Sequence, residues 1–360
     1  MKKTFIYLMC ALTFSNTGCL HPKIGPQSLP RDRALYSTGL ADSWKEQMLL
    51  NIVKLRYIDP PTFVDIGSIV ASYTLTQSAA LGGTIIPTGP SGSNSLTLGG
   101  SGTFSNSPTI TYTPLTGSKF IQGLLTPLPP EAVFTAIQNG VPADMIMLST
   151  LFSINGLKNQ QATLDGVTPA DQDFDKVRAL ARQIQLSGAV RTYVKKGSQG
   201  GPATVVTFRT AGIPPEILED IKEMRRLLKL NPDATEFSLA QSPVSSSDTE
   251  LAVLTRSVIG VMQNMAANVE VPAEDLAKNH AFPGFEKDRN LRDAARLIHI
   301  HSGKEKSDDA FVGVRYEGNW FWIDKGDLRS KQVFQQLILL FTMANTAPPE
   351  NQPVVTIPAR

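Results

Sequence analysis

The stretch Ile69-Val70-Ala71-Ser72-Tyr73-Thr74-Leu75-Thr76-Gln77-Ser78-Ala79-Ala80-Leu81 opens the most regular pattern in the chain. Apolar residues hold the odd positions, Ile69, Ala71, Tyr73, Leu75, Ala79, Leu81 and Ile85, with Gln77 the one polar break. The even positions are mostly small or polar, among them Ser72, Thr74, Thr76, Ser78 and Thr84, with Ala80 and Ile86 the apolar exceptions. After the polar loop Pro87 to Asn94 the phase reverses: Leu96, Leu98, Phe104, Ile110 and Tyr112 are all even. Successive side chains of a strand point to opposite faces, so two arms alternating with period two predict a long antiparallel hairpin over 69–112. Gly99-Gly100 and Ser107-Pro108 are expected to bend the return arm or break its pairing.

Outside the hairpin the pattern turns largely helical. Leu40, Trp44, Met48, Ile52 and Leu55 recur at three- and four-residue steps, which predicts a helix over Gly39–Ile58 with one apolar face. Asp42 is expected in its first turn, and Asp59-Pro60-Pro61 ends it, because proline cannot donate the next helical hydrogen bond. Gly117–Thr126, Pro130–Asn139 and Ala143–Ile154 read as three short helices. Thr168-Pro169-Ala170-Asp171 has the form of a capping box ahead of a helix that carries Phe174, Val177, Ala181 and Ile184 inward. Ala189–Val194 and Thr204–Phe208 read as a strand pair, and Pro214–Leu230 as an amphipathic helix. Ser247 to Glu250 repeats the capping pattern before a helix reaching about Asn268. A hairpin Phe311–Ile323 turning at Glu317-Gly318-Asn319, a helix Leu328–Met343 and an extended Pro353–Pro358 complete the chain. Strands gathered in pairs among helices place the fold in the α+β class: a long antiparallel hairpin and smaller strand pairs packed with several amphipathic helices.

At the other end of the chain Lys2 and Lys3 precede an apolar run from Phe5 to Phe14, and Ser15-Asn16-Thr17-Gly18 leads into Cys19. Charge, apolar run and small residues in that order make an export signal, and the run is too short to span a bilayer. Thr17-Gly18-Cys19 resembles the lipobox of bacterial lipoproteins, with Asn16 where that family usually has leucine. The resemblance implies cleavage before Cys19 and lipidation of its sulfur, and Leu20 in place of aspartate implies delivery to the outer membrane. The body, with Asn51-Ile52-Val53-Lys54-Leu55-Arg56-Tyr57 early and Asn319-Trp320-Phe321-Trp322-Ile323-Asp324 late, also resembles bacterial envelope lipoproteins, a likeness that brings no activity with it. The expected organisation is a signal peptide 1–18, a lipidated cysteine with a Pro-rich tether 19–35, a helix-and-hairpin segment 36–165, an α+β domain 166–350 and an extended tail 351–360.

Composition narrows the function classes. The two cysteines are Cys10 and Cys19, so a mature chain beginning at Cys19 forms no internal disulfide. Two of the 34 lysines and arginines lie in the signal, leaving 32 against 32 acidic residues. Bulk charge therefore argues against a nucleic-acid partner. A hydrophobic share of 41% with 18% charged residues fits a folded chain.

Reactive motifs fail one by one. His299 and His301, two apart, would share a face of a strand, and His280, Asp308 or Asp309 would have to complete a metal site; no ligand cluster of known spacing does so. Two histidines on the wet face of an edge strand is the simpler reading. Asp171, Asp173 and Asp175 alternate like a calcium loop, but Lys176 and Arg182 stand where the loop needs glycine and a carboxylate. No serine has the flanking glycines of a hydrolase elbow, and Gly99-Gly100-Ser101-Gly102 lacks the rest of a phosphate loop. No catalytic residue, cofactor site or metal site is therefore expected. Trp320 and Trp322 share one strand face and form a possible sugar-stacking platform, although packing into the core is the commoner fate of such side chains. The charged face of Pro214–Leu230 mixes signs and reads as solvated.

The expectation is a non-enzymatic, outer-membrane-anchored lipoprotein on the periplasmic side, with the membrane, other envelope proteins or itself as partners. Two alternatives remain open. One is a subunit of an oligomeric envelope pore or secretion complex contributing the 69–112 hairpin, by analogy with lipoproteins that build shared barrels. The other is a carbohydrate-binding or hydrolytic envelope protein. For the hairpin's apolar face, covering the helix 40–55 is preferred over facing lipid.

Overall fold

The structure, a computed structural model, describes residues 28–70, 73–84, 95–196, 202–285 and 296–344. The signal, Cys19, the tether up to residue 27, the hairpin loop 85–94 and the extended Pro353–Pro358 lie outside the described residues. Within them the chain has α+β architecture. The helices are α1 (Leu29–Arg56), α2 (Ser118–Leu125), α3 (Pro130–Gln138), α4 (Ala143–Thr150), α5 (Gln172–Leu186), α6 (Pro215–Leu227), α7 (Val258–Ala266), α8 (Ala273–Ala277) and α9 (Leu328–Ala344). The strands are β1 (Val64–Val70), β2 (Tyr73–Thr84), β3 (Ser95–Asn106), β4 (Thr109–Pro114), β5 (Leu151–Ile154), β6 (Leu157–Lys158), β7 (Gln161–Thr163), β8 (Gly166–Thr168), β9 (Val190–Lys196), β10 (Pro202–Phe208), β11 (Glu236–Ala240), β12 (Glu250–Thr255), β13 (His301–Gly303), β14 (Ala310–Tyr316) and β15 (Asn319–Asp324).

Contacts divide the chain into two compact units. Among the described residues, one holds those up to Asp42 together with those of Val64–Thr113, the other Ser43–Phe63 and those from Pro114 onward. The first contains the 69–112 pattern, but as two separate two-stranded ladders rather than one continuous hairpin. β2 and β3 run antiparallel from Tyr73↔Asn106 to Thr84↔Ser95, which sets position 75 opposite 104 and 81 opposite 98. β1 pairs with β4, where Ser68 and Thr111 join hydroxyls at 3.3 Å. Ser107 and Pro108 fall between β3 and β4, since proline has no N–H to offer a ladder. Every residue of β4 is exposed, Tyr112 at 61%.

α1 opens at Leu29, ahead of the expected Gly39, so the last part of the expected 19–35 tether is helical and Asp32, not Asp42, occupies the first turn. Lys54 and Arg56 in its last turn complement the helix dipole. The helix closes in a Schellman arrangement: Asp59 N–H donates to the Lys54 carbonyl at 2.9 Å and Ile58 N–H to that of Leu55 at 3.2 Å. Ile58 takes the left-handed position at φ 62, where glycine is usual. Asn51 then fastens the chain beyond the prolines, donating to the Thr62 carbonyl at 2.7 Å and accepting from its N–H at 2.9 Å.

In the second unit a six-stranded sheet runs in the order β6-β5-β12-β11-β10-β9. All its neighbours are antiparallel except β11 and β12, which pair parallel from Ser238↔Glu250 to Ala240↔Ala252. Side chains of this sheet and of α3 to α6 form one core, with Phe174, Phe237, Leu151 and Val253 buried in it. The expected boundary at 165/166 therefore cuts through one sheet. A second core joins the end of α1 to α2, α7, α9 and the three-stranded sheet β13-β15-β14.

Three expected helices are corrected here. Ala143–Ile154 is helical only to Thr150, because side chains capture its last carbonyls. Asn159 Nδ2 donates to those of Leu148 and Leu151 at 2.9 and 2.7 Å, and Arg256 Nη1 to those of Leu148 and Ser149 at 3.0 and 3.1 Å. Burial pushes that guanidinium down to about 10. Asn155 (φ 44) and Gly156 (φ 85) then make the tight turn between β5 and β6. Residues 250–255 are strand β12, not helix: Leu251, Ala252 and Val253 are buried in succession, as in a strand covered on both faces. The cap belongs to Ser257, whose hydroxyl accepts from Gly260 N–H ahead of α7. Thr168 lies in β8 and does not cap α5; Asp171 stands at that N-cap, its carboxylate taken by Lys158 N–H at 2.7 Å.

Candidate functional site

The hairpin β14–β15 turns through Glu317 (φ 45) and Gly318 (φ 76), both left-handed, which matches the twist of paired strands. Strand alternation then sorts β15. Asn319, Phe321 and Ile323 are buried, Phe321 and Ile323 in the core that also holds Phe334 and Phe341 of α9. Trp320, Trp322 and Asp324 occupy the opposite face and are partly exposed. The tryptophans therefore do not pack into the core as expected: the apolar phase belongs to Phe321 and Ile323.

Register builds two rows across that outer face. His301, Trp322 and Gly313 stand abreast, as do Gly303, Trp320 and Arg315. The glycines make room for large neighbours. A Cβ at Gly303 would sit 3.2 Å from the Trp322 ring, and one at Gly313 would sit 2.6 Å from the Lys306 stem. Lys306 in turn places its ammonium 5.5 Å from the centroid of Trp320.

His301 anchors one end of the face. Its ring lies 5.8 Å from that of Trp322 and is tilted by 34°. Nδ1 is 3.2 Å from Glu270 Oε2 and Nε2 is 3.4 Å from Asp324 Oδ2. The hydrogen bond to Glu270 raises the imidazole above its ordinary value against the opposing effect of burial, with the charges of Glu270, Asp324 and Asp327 adding to the rise. The same bond holds Glu270 below the usual carboxylate range. Trp322 Nε1 donates to Asp324 Oδ1 at 3.0 Å. Burial alone would raise Asp327, but the Ser330 hydroxyl and amide hold it down. The face thus combines two half-open indoles with fixed charges of both signs, the equipment of a site that stacks a ring and reads its polar rim.

The other sequence candidates are dispersed. His299 lies outside the strand that holds His301, the two rings nearly perpendicular and 6.3 Å apart. His280 is 3.8 Å from Asp275, and Asp309 is 3.8 Å from Lys325. Among the described residues no group of three or more His, Cys, Asp and Glu is arranged to hold a metal ion. Asp173 and Asp175 pair with Lys176 and Arg178 on their own helix. On α6, Glu219 pairs with Lys222 and Glu223 with Arg226, both at 2.7 Å.

Sequence reasoning missed a second feature, an apolar groove of about 560 Å³ walled by α2, α3 and α9. Its walls come from segments some two hundred residues apart, so no local pattern announces it. The available signal was Leu339 and Met343, apolar yet out of phase with the buried stripe of α9, and exposed at 57% and 52%.

Among the described residues no helix is long and apolar enough to cross a membrane. Compared with protein families, with curated proteins and with solved structures, the chain matches none.

Proposed function

We propose that this chain is an exported protein held at the outer membrane by lipid on Cys19, facing the periplasm, and that its folded part is a non-enzymatic assembly or interaction module. The observation that carries the reading is Thr17-Gly18-Cys19 directly after a charged and apolar leader, with Cys19 the last cysteine in the chain. Its partners are the bilayer, through the anchor, and other envelope proteins or further copies of itself. Fractionation tests it. The wild type sediments with outer membrane, and Cys19→Ala is released from it; a variant that stays in the membrane as the wild type does contradicts the anchor.

The outer face of β15 favours a second reading, an envelope saccharide-binding protein. Two partly exposed indoles two residues apart, beside Glu270 and Asp324, suit the flat apolar face and hydroxyl rim of a sugar ring. Retention on immobilised envelope glycan separates the two. Trp320→Ala with Trp322→Ala abolishes retention if sugars bind there, and equal or absent retention in both proteins removes this reading.

A further inference from the structure

Between Asp65 and Lys119 the sequence holds no Asp, Glu, Lys, Arg or His, although 18% of the whole chain is charged. That interval contains all of β2, β3 and β4 and all but the first two residues of β1. Among the described residues both of its ladders are two-stranded, so each presents two outer strand edges. Edges that face water are ordinarily guarded by lysine, another charge or proline, and two strands alone are marginal in water. Here the charges are missing, and Pro87, Pro90, Pro108 and Pro114 fall outside β1, β2 and β3. In β4, Ile110 and Tyr112 are exposed at 39% and 61%.

Register places Leu75 opposite Phe104 and Leu81 opposite Leu98, so the apolar phases of the two arms fall on one face of the β2–β3 ladder. The other face sets Thr74, Thr76 and Ser78 against Ser105, Thr103 and Ser101. Of these, Thr76, Thr103 and Ser105 are exposed. An apolar face backed by an uncharged hydroxyl face is the alternation of a strand with lipid on one side and water on the other. β2 and β3 have 12 residues each, enough for the roughly 9–11 that cross a bilayer at a tilt. Hydrocarbon tolerates no open sheet edge, so a two-stranded ladder enters it only within a closed ring. The outer edges of β2 and β3 run antiparallel, which lets the β2 edge of one copy take the β3 edge of the next. Such a head-to-tail contact repeats around a ring.

We infer that copies of this chain join their β2–β3 ladders edge to edge into one membrane-spanning β-barrel, apolar positions toward lipid and hydroxyls toward a water-filled lumen. About eight strands are the fewest that close such a barrel, which calls for at least four copies. The inference rests on the assembly reading proposed above for its place at a bilayer. The full chain, extracted from the envelope in mild detergent, is sized and then added to planar bilayers of phosphatidylethanolamine and phosphatidylglycerol. The wild type runs as a complex of four or more copies and opens discrete conductance steps. Leu75→Glu with Leu81→Glu puts charge on the lipid face and cuts the frequency of steps at least tenfold, with circular dichroism matching the wild type. Thr76→Lys with Thr103→Lys, on the opposite face, keeps the steps and shifts their selectivity toward anions. A wild type that stays monomeric or opens no steps overturns the inference. So do steps that survive the paired glutamates, or that keep their selectivity with the paired lysines. If Cys19 carries no lipid the anchor reading falls, and the same bilayer steps still decide the barrel.

Discussion

Nδ1 of His301 stands 3.2 Å from Glu270 Oε2, and each group shifts the other's proton affinity. His301 is raised above its ordinary 6.5, so its contribution to stability is complete below that value and is lost as pH climbs through the raised one. Glu270 is lowered from 4.5, so its contribution is complete above that value and is lost as pH falls through the lowered one. The pair therefore strengthens the fold most between those two ordinary values. Urea midpoints measured against pH should show this window in the wild type, and His301→Gln should flatten it. An unchanged profile in the variant contradicts the pairing.

The alternation of β15 makes a contrast between neighbours. Phe321 is fully buried, and Phe321→Ala should cost about 3–5 kcal/mol. Trp320→Ala, on the outer face, should cost no more than about 1 kcal/mol, because its side chain leaves no internal cavity. Urea unfolding of the two variants decides it, and equal losses would place Trp320 in the core.

Ile58 holds a left-handed backbone that β-branched residues avoid, and its side chain is 64% exposed. Ile58→Asn keeps the turn and relieves the strain, so thermal unfolding should shift upward by the equivalent of about 1 kcal/mol. A loss of stability would mean that the exposed side chain makes contacts that outweigh its strained backbone.

Asn159 is buried, and its amide serves the carbonyls of Met147, Leu148 and Leu151 while its oxygen accepts from Gln160 N–H. Asn159→Ala removes a donor from each of these carbonyls, although Leu148 keeps Arg256 and Met147 keeps the Leu151 N–H, and should destabilise by about 2 kcal/mol, read from the urea midpoint. A change below about 1 kcal/mol would show that the end of α4 is satisfied by other means.

Those carbonyls also explain where sequence reasoning stopped. α3, α6, α9 and the β14–β15 hairpin were legible, because capping prolines, apolar periodicity and the Glu317-Gly318 turn are local signals. The switch from α4 to β5 was not, since Arg256 arrives from a distant segment and Asn159 folds back from the far side of the β5–β6 turn to end the helix. β12 was hidden for a related reason: a short apolar run reads equally as helix or buried strand until its parallel partner β11 is known. Of the outer face, the sequence showed Trp320 and Trp322 on one side of a strand. It could not show Glu270 beside His301, a pairing that depends on the approach of residues 31 positions apart.

The account depends first on the sulfur of Cys19. Mass spectrometry of the N-terminal peptide from protein extracted from cells should find Cys19 as the first residue, carrying diacylglyceryl and acyl mass. A peptide that begins elsewhere, or begins at Cys19 with no acyl addition, contradicts the account at its root.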